Sequence, residues 1–342
     1  MLINPDASVP FPEVARLARL SARPARQPQP VLRTAQAVHR DLTVWARDFP
    51  AVAHGRGGSI MRWMPLSAAV SYDGAPYATA LEFARHSAAY AAYDDVMDEE
   101  ATERNSLDAL RSLTEEWLLF LRDPHLAVPA LHTSDPFTRQ AFTALADSAR
   151  RISGGPGSFP YHAVWLELWE KLCDGMLREA SWQRGAERKP SFDQYMNAGC
   201  HTVGFPAIHW VAAMAHAPPG ISDADTSALV SLLIRAGYCV RIANDLSSEE
   251  RDHSGHEVNA VPLMAEKYSC PSSLARRALR QLLRREMGRL FDEARTVSPA
   301  IANPYGWAIR AAVFASQWYL DRREAELTRE DLAFLGGFPG ED

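Results

Sequence analysis

The chain has 342 residues, 47% of them hydrophobic and 23% charged, with a formal net charge of −6; this is the balance of a globular enzyme with a large apolar core. It has no basic patch with interleaved aromatics, which argues against nucleic acid as a partner, and no run of about 18 apolar residues, so no membrane span is expected. The start lacks the basic and apolar pattern of a signal peptide, and Cys173, Cys200, Cys239 and Cys270 lack CxxC spacing, so they read as reduced, mostly buried thiols of a cytoplasmic protein.

Residues 1–33 are rich in Pro and Arg, which predicts an extended arm or a disordered lead-in, because proline fixes φ and removes a backbone donor. Apolar residues then recur at three and four positions, as in Leu81, Ala84, Ala88 and Ala92. The recurrence predicts helices over about 34–48, 60–70, 75–101, 104–122, 136–152, 161–185, 191–203, 207–217, 222–250, 257–268, 271–296 and 303–327. Breakers separate them, among them Asp73-Gly74 and Lys189-Pro190-Ser191. Pro206 cannot continue a helix without losing a bond, so a break is expected after Gly204, although an ordinary turn reads equally well. No strand pattern and no fixed repeat occurs. The expectation is one all-α bundle over 34–327 and a loose tail over 328–342.

Two acidic motifs carry the chemistry. The first is Asp94-Asp95-Val96-Met97-Asp98-Glu99-Glu100, where helical spacing puts Asp94, Asp95 and Asp98 within reach of one another. Carboxylates stacked near a helix C-terminus repel each other and oppose the macrodipole, so a hard cation such as Mg²⁺ is the expected counter-charge. A solvated acidic helix end is the bland alternative. The second motif is Asn244-Asp245-Leu246-Ser247-Ser248-Glu249-Glu250-Arg251-Asp252. Asn244, Ser248 and Asp252 fall at i, i+4 and i+8, on one stripe of one helix. Amide, hydroxyl and carboxylate oxygens in a row suit one hard cation, whereas a polar helix end would read the same alone. The motifs lie 150 residues apart and each closes a long apolar helix, so they can face each other across the mouth of a bundle.

With these two motifs in this order, the chain resembles the class I terpene synthases, which carry DDxxD and NDxxSxxxE motifs. The resemblance implies their α-helical fold, three Mg²⁺ ions and a prenyl diphosphate substrate. By it, Asp94, Asp95 and Asp98 would hold two ions and Asn244, Ser248 and Asp252 the third. Arg241 would contact diphosphate, as would Arg251, which matches the basic residue before the last ligand. Asp94, Arg241 and Asn244 are the residues on which turnover is expected to depend. Thr202 and Gly204 lie where the family breaks a helix and aims carbonyls into its cavity. Phe83, Tyr90, Trp165, Trp169, Trp210, Trp307, Trp318 and Tyr319 are candidate aromatic walls, with plain core packing as the alternative for each. A homodimer is compatible with this reading.

Three departures shape the substrate expectation. Asp252 stands where the family has Glu. Ser316-Gln317-Trp318-Tyr319 replaces the Arg-Tyr pair of bacterial members, and Tyr195–Gly204 holds no arginine where a diphosphate sensor belongs. The two arginine losses resemble labdane-type diterpene synthases and point to a copalyl diphosphate isomer. Asp223-Ala224-Asp225-Thr226 lacks the last Asp of a DxDD acid motif, so an upstream class II cyclase would have to supply it. Linear farnesyl or geranylgeranyl diphosphate is the alternative substrate. A chain-elongating prenyltransferase or a non-catalytic helical scaffold are the rival functions.

Overall fold

The computed structural model describes residues 28–53, 55–97, 106–123, 135–153, 161–216, 220–255 and 258–321; most of the expected arm and the whole expected tail lie outside them. Among the described residues the structure is helical and has no strand. The helices are α1 Pro28–Ala46, α2 Gly55–Ser71, α3 Tyr77–Met97, α4 Leu107–Arg122, α5 Pro136–Ser153, α6 His162–Gln183, α7 Phe192–Thr202, α8 Phe205–His216, α9 Asp223–Gly255, α10 Ala260–Lys267, α11 Ser272–Glu293 and α12 Ala302–Asp321.

Local chemistry accounts for the ends. Ser106 caps α4 by accepting from the Ala109 N–H, and Asp108 lies in its first turn, where it opposes the positive end of the dipole. Ser191 and Gln194 form a capping box at the start of α7. Helix α1 begins six residues earlier than its pattern predicts, at Pro28, because a first turn needs no N–H from proline. Helix α9 runs unbroken through the whole second motif to Gly255.

The inner faces follow the apolar spacing. On α4, Leu110, Leu113, Trp117, Phe120 and Leu121 are buried. Trp117 packs edge-on against Trp169 at 5.3 Å between ring centroids, and Tyr93 meets Phe142 at 5.5 Å. This aromatic core fills the space between α3, α4, α5 and α6. Burying each of its Trp rings contributes on the order of 3–5 kcal/mol, judged from the usual cost of truncation. Helix α3 is buried almost all round, through Ala84, Ala88, Ala89, Ala91 and Ala92. Its small side chains let α2, α5 and α8 approach closely.

Helix α9 packs against α7, α8, α11 and α12. By length and composition its Asp223–Glu249 stretch is the one described segment apolar enough to cross a membrane, with half of the window buried inside the protein. The sequence shows no uninterrupted apolar run there because Arg235 and Arg241 break it. All four cysteines are free; Cys173, Cys200 and Cys239 are buried and Cys270 is half-buried.

Candidate active site

Helices α2, α3, α6, α7, α8, α9 and α12 enclose a cavity of about 170 Å³. Asp94 from the end of α3 and Asn244, Ser248 and Asp252 from α9 all line it. The two motifs therefore open onto one space. Its other ionisable lining residues include Glu179, Asp245 and Arg241.

Asp94 is half-buried, and the Tyr90 hydroxyl one turn earlier lies 3.3 Å from its Oδ1. The same hydroxyl donates to the Thr202 carbonyl. Asp95 is half-buried but not part of the lining. Asp98 lies outside the described residues, as does the side chain of Arg251.

On α9 the i, i+4, i+8 stripe holds. Ser248 Oγ donates to Asp252 Oδ2 at 2.6 Å, and Asn259 Nδ2 donates to the same oxygen at 2.8 Å. Asn259 also caps α10, accepting from the Val261 N–H, and donates to the Asp245 carbonyl at 3.0 Å. One asparagine thus pins the last carboxylate of the motif, the backbone of α9 and the start of α10. Asp245 is used differently: its Oδ2 accepts from the Ala260 N–H at 2.8 Å and its Oδ1 lies 3.0 Å from Arg241 Nε. Burial pushes the Asp245 carboxyl up to about 6, with Arg241 pulling the other way.

Arg241 lies over the Tyr195 ring, its guanidinium carbon 4.8 Å from the centroid. Its Nε donates to the Tyr195 hydroxyl at 2.9 Å, and Nη2 lies 3.7 Å from Glu179 Oε2. Gly199 leaves the room for this: a Cβ there would sit 3.0 Å from Arg241 Cγ. Burial disfavours the cation, but Asp245 and Glu179 outweigh it and hold the guanidinium charged.

The break between α7 and α8 forms part of the wall. Gly204 holds φ +73° and a Cβ would meet Tyr90 Cε1 at 2.5 Å, so both the conformation and the space require glycine. Thr202 faces the cavity and its hydroxyl donates to Glu179 Oε1 at 2.6 Å. The carbonyl released by the break is taken by Tyr90.

The donor set fits a hard cation. Asp94, Asn244, Ser248 and Asp252 offer only oxygen ligands, the choice of Mg²⁺. Ser248 Oγ and Asp252 Oδ2 are already neighbours at 2.6 Å, near the roughly 3 Å separation of adjacent ligands around an octahedral ion bound at about 2.1 Å. Among the described residues, no three His, Cys, Asp or Glu side chains converge as a ready-made metal cage. An ion held here would therefore complete its shell with waters or with substrate oxygens, as Mg²⁺ commonly does.

Phe83, Tyr90 and Tyr319 line the cavity. Other expected wall residues do not. Trp165, Trp169 and Trp210 are fully buried in the core. Helix α12 turns Ala311, Ala315 and Tyr319 to the cavity; Trp318 is rotated about 100° off that stripe and stacks on Trp63 at 5.3 Å. Trp307 lies one turn below Ala311 and packs on Tyr72 at 6.0 Å. Gly204 supports the wall without being part of its lining.

Sequence reasoning missed several residues here, among them Glu179, Tyr195, His209 and Asn259. His209 faces the cavity between Phe83 and Phe205, with Nδ1 2.6 Å from the Tyr72 hydroxyl. Burial lowers its pKa to about 3, so it is neutral. Glu179 has a faint sequence signal, a carboxylate beside the buried Met176 and Ala180 of α6. The other three declare themselves only through tertiary contacts.

Residues 87–289 match the family described as terpene synthase family 2, C-terminal metal binding, and the chain belongs to that family. No curated protein sequence matches it. Among solved structures, it is similar to isoprene synthase from grey poplar (Populus x canescens), in complex with three Mg²⁺ ions and dimethylallyl-S-thiolodiphosphate, at 19% identity and TM-score 0.70, covering 89% of this chain and 58% of that one. Abietadiene synthase from Abies grandis is similar at 15% identity and TM-score 0.69, covering 89% of this chain and 40% of that one. Germacradien-4-ol synthase from Streptomyces citricolor matches at 18% identity and TM-score 0.63, covering 84% and 94%. These likenesses establish the all-α terpene synthase fold. The chain spans little more than half the length of the poplar enzyme and less than half of the Abies enzyme.

Proposed function

We propose that this member of terpene synthase family 2 is a class I diterpene synthase, which ionises an allylic prenyl diphosphate and cyclises the cation to a hydrocarbon or alcohol. The observation that carries the reading is that Asp94 and the Asn244, Ser248, Asp252 stripe line one cavity. Its described lining sets the carboxylates Asp94, Glu179, Asp245 and Asp252 against the single guanidinium of Arg241. An anionic diphosphate enters such a space only with metal cations. When bound, Mg²⁺ neutralises the departing diphosphate and lowers the barrier to ionisation; three ions are expected, the number in the poplar structure.

The chain's own residues have distinct tasks. Asp94, with Asp98 and with Asp95 from behind the lining, would hold metal at one wall; Asn244, Ser248 and Asp252 would hold it at the other. Arg241 donates to the leaving diphosphate and Arg251 adds a second cation. Below them Phe83, Tyr90 and Phe205 present aromatic faces, whose quadrupoles stabilise a passing cation. An elongating prenyltransferase is disfavoured because its second motif would be carboxylate-rich where Asn244 and Ser248 stand.

For the substrate we favour a copalyl diphosphate isomer. Ala198 and Trp318 occupy places where arginines would grip a linear substrate, and Trp318 stacks on Trp63 outside the cavity lining. A bicyclic substrate has fewer rotors to freeze and needs less guidance. The absence of a DxDD motif then calls for a class II cyclase upstream. The free cysteines suit a reducing, cytoplasmic setting, and a homodimer remains part of the proposal. The test is kcat/KM measured side by side with geranyl, farnesyl, geranylgeranyl and copalyl diphosphates. Highest efficiency with a copalyl isomer is expected; a preference for any linear substrate overturns the bicyclic assignment.

A further inference from the structure

Glu179 is out of place in an anion-binding cavity. It lines the space from α6, its side chain is 19% exposed, and it carries a charge of the same sign as diphosphate. Its two oxygens are used separately. Oε1 accepts from the Thr202 hydroxyl at 2.6 Å, and Oε2 lies 3.7 Å from Arg241 Nη2. The remaining partners of Arg241 are Asp245 on its own helix and the Tyr195 hydroxyl. The guanidinium therefore already meets two carboxylates and a hydroxyl before any substrate arrives.

These contacts differ in strength. The Asp245 contact is 3.0 Å, and Asp245 is fixed by the Ala260 N–H. The Glu179 contact is the longest and lies at the cavity surface. Thr202 anchors the Glu179 carboxylate to the last turn of α7, so the carboxylate cannot follow the guanidinium if that group turns into the cavity. Gly199 lets the arginine stem lie against α7 without a side chain in the way, where a Cβ would come within 3.0 Å of Arg241 Cγ.

We propose that Glu179 is a resident counter-ion for Arg241 which the substrate's diphosphate displaces, with Thr202 as the tether that keeps the carboxylate behind. This rests on the functional reading above. Glu179 is a positioning residue: it keeps the arginine charged and ordered in the empty cavity and sets a threshold that only a metal-bearing diphosphate overcomes. Anions too weakly charged to replace it do not capture Arg241.

The test is calorimetric titration of inorganic pyrophosphate into the full chain in Mg²⁺ buffer. Glu179→Gln keeps the acceptor for Thr202 and removes the competing charge. It is expected to bind pyrophosphate roughly tenfold tighter than wild type, a change of about 1.4 kcal/mol, with an unchanged thermal midpoint. Glu179→Ala tightens binding in the same sense. Thr202→Val frees the carboxylate to stay with Arg241 and weakens binding, and that weakening disappears in the Glu179→Gln background. Equal or weaker pyrophosphate binding by a folded Glu179→Gln overturns the proposal. Loss of helical signal in both Glu179 variants also overturns it, because Glu179 is then a structural residue. A wild-type chain that binds no pyrophosphate with Mg²⁺ sinks the functional reading itself, an outcome distinct from unchanged affinity in the variants.

Discussion

Asn259 holds Asp252: its side-chain amide donates to Asp252 Oδ2 at 2.8 Å from the residue that caps α10. The final carboxylate of the second motif is therefore aimed by a residue outside the motif. Asn259→Ser keeps a capping oxygen but loses the donor to Asp252. It is expected to lose about 1–3 kcal/mol of stability with its buried bonds to Asp252 and the Asp245 carbonyl while weakening Mg²⁺ affinity about 10–100-fold, the usual effect of losing a ligand's support. Asn259→Ala loses the cap as well and falls further in stability, by about 1 kcal/mol. Urea unfolding and Mg²⁺ titration of pyrophosphate binding separate the two effects. Unchanged metal dependence in Asn259→Ser removes the positioning role.

Asp252 itself carries the charge of this wall. Asp252→Asn preserves its size and its contact with Ser248, and removes one unit of charge. Turnover is expected to fall by about 10²–10³, the scale of losing one electrostatic contact to a developing anion, with the circular dichroism spectrum unchanged. Asp252→Glu should recover part of that loss. Wild-type turnover in Asp252→Asn would show that the carboxylate holds no metal.

Gly204→Ala tests the wall at the break. A left-handed residue with a Cβ costs about 1–2 kcal/mol, and the contact with Tyr90 adds about 1 kcal/mol or more of overpacking. The variant is expected to lose at least about 2 kcal/mol by urea denaturation. In a Tyr90→Ala background the added cost of Gly204→Ala should shrink, because the ring it strikes is gone. Additive losses would mean that Tyr90 and Gly204 do not meet.

How far the fold was legible follows from which contacts are local. Helix spacing, and with it the i, i+4, i+8 stripe of Asn244, Ser248 and Asp252, is a property of one segment and could be read directly. So could the break at Pro206, although its position depends on Gly204 and on the Tyr90 ring behind it. The start of α1 could not, because Pro28 marks either an arm or a first helical turn. Trp318 and Tyr319 read alike in sequence, as wall or core, because their helix is clear and its rotation is not; one residue of phase separates them. Glu179 and Asn259 act through partners on other helices or beyond a loop; the buried neighbours Met176 and Ala180 hint faintly at the first, and nothing nearby announces the second.

Two buried histidines predict acid sensitivity. Burial lowers the pKa of His86 and of His209 to about 3, so both are neutral when folded, while the unfolded chain takes up a proton at each below its ordinary value near 6.5. The unfolded state then binds more protons, and stability falls as pH drops from 6.5 towards 3. Each contributes about 1.4 kcal/mol of loss per pH unit in that window. In His86→Gln, which can still bond Ser148, the stability lost between pH 6.5 and pH 5 should be smaller by about 2 kcal/mol. Equal losses in variant and wild type would contradict a neutral buried His86.

The central claim is that the two motifs act as one metal-dependent site on a diphosphate. The most direct measurement is diphosphate release from copalyl and geranylgeranyl diphosphates, with products followed by gas chromatography–mass spectrometry, in wild type, Asp94→Ala and Asn244→Ala. Wild type should release diphosphate and a diterpene only with Mg²⁺ present, chelation should stop it, and each variant should keep its helical spectrum but lose turnover. Release that survives chelation, or full turnover in either variant, would contradict the account.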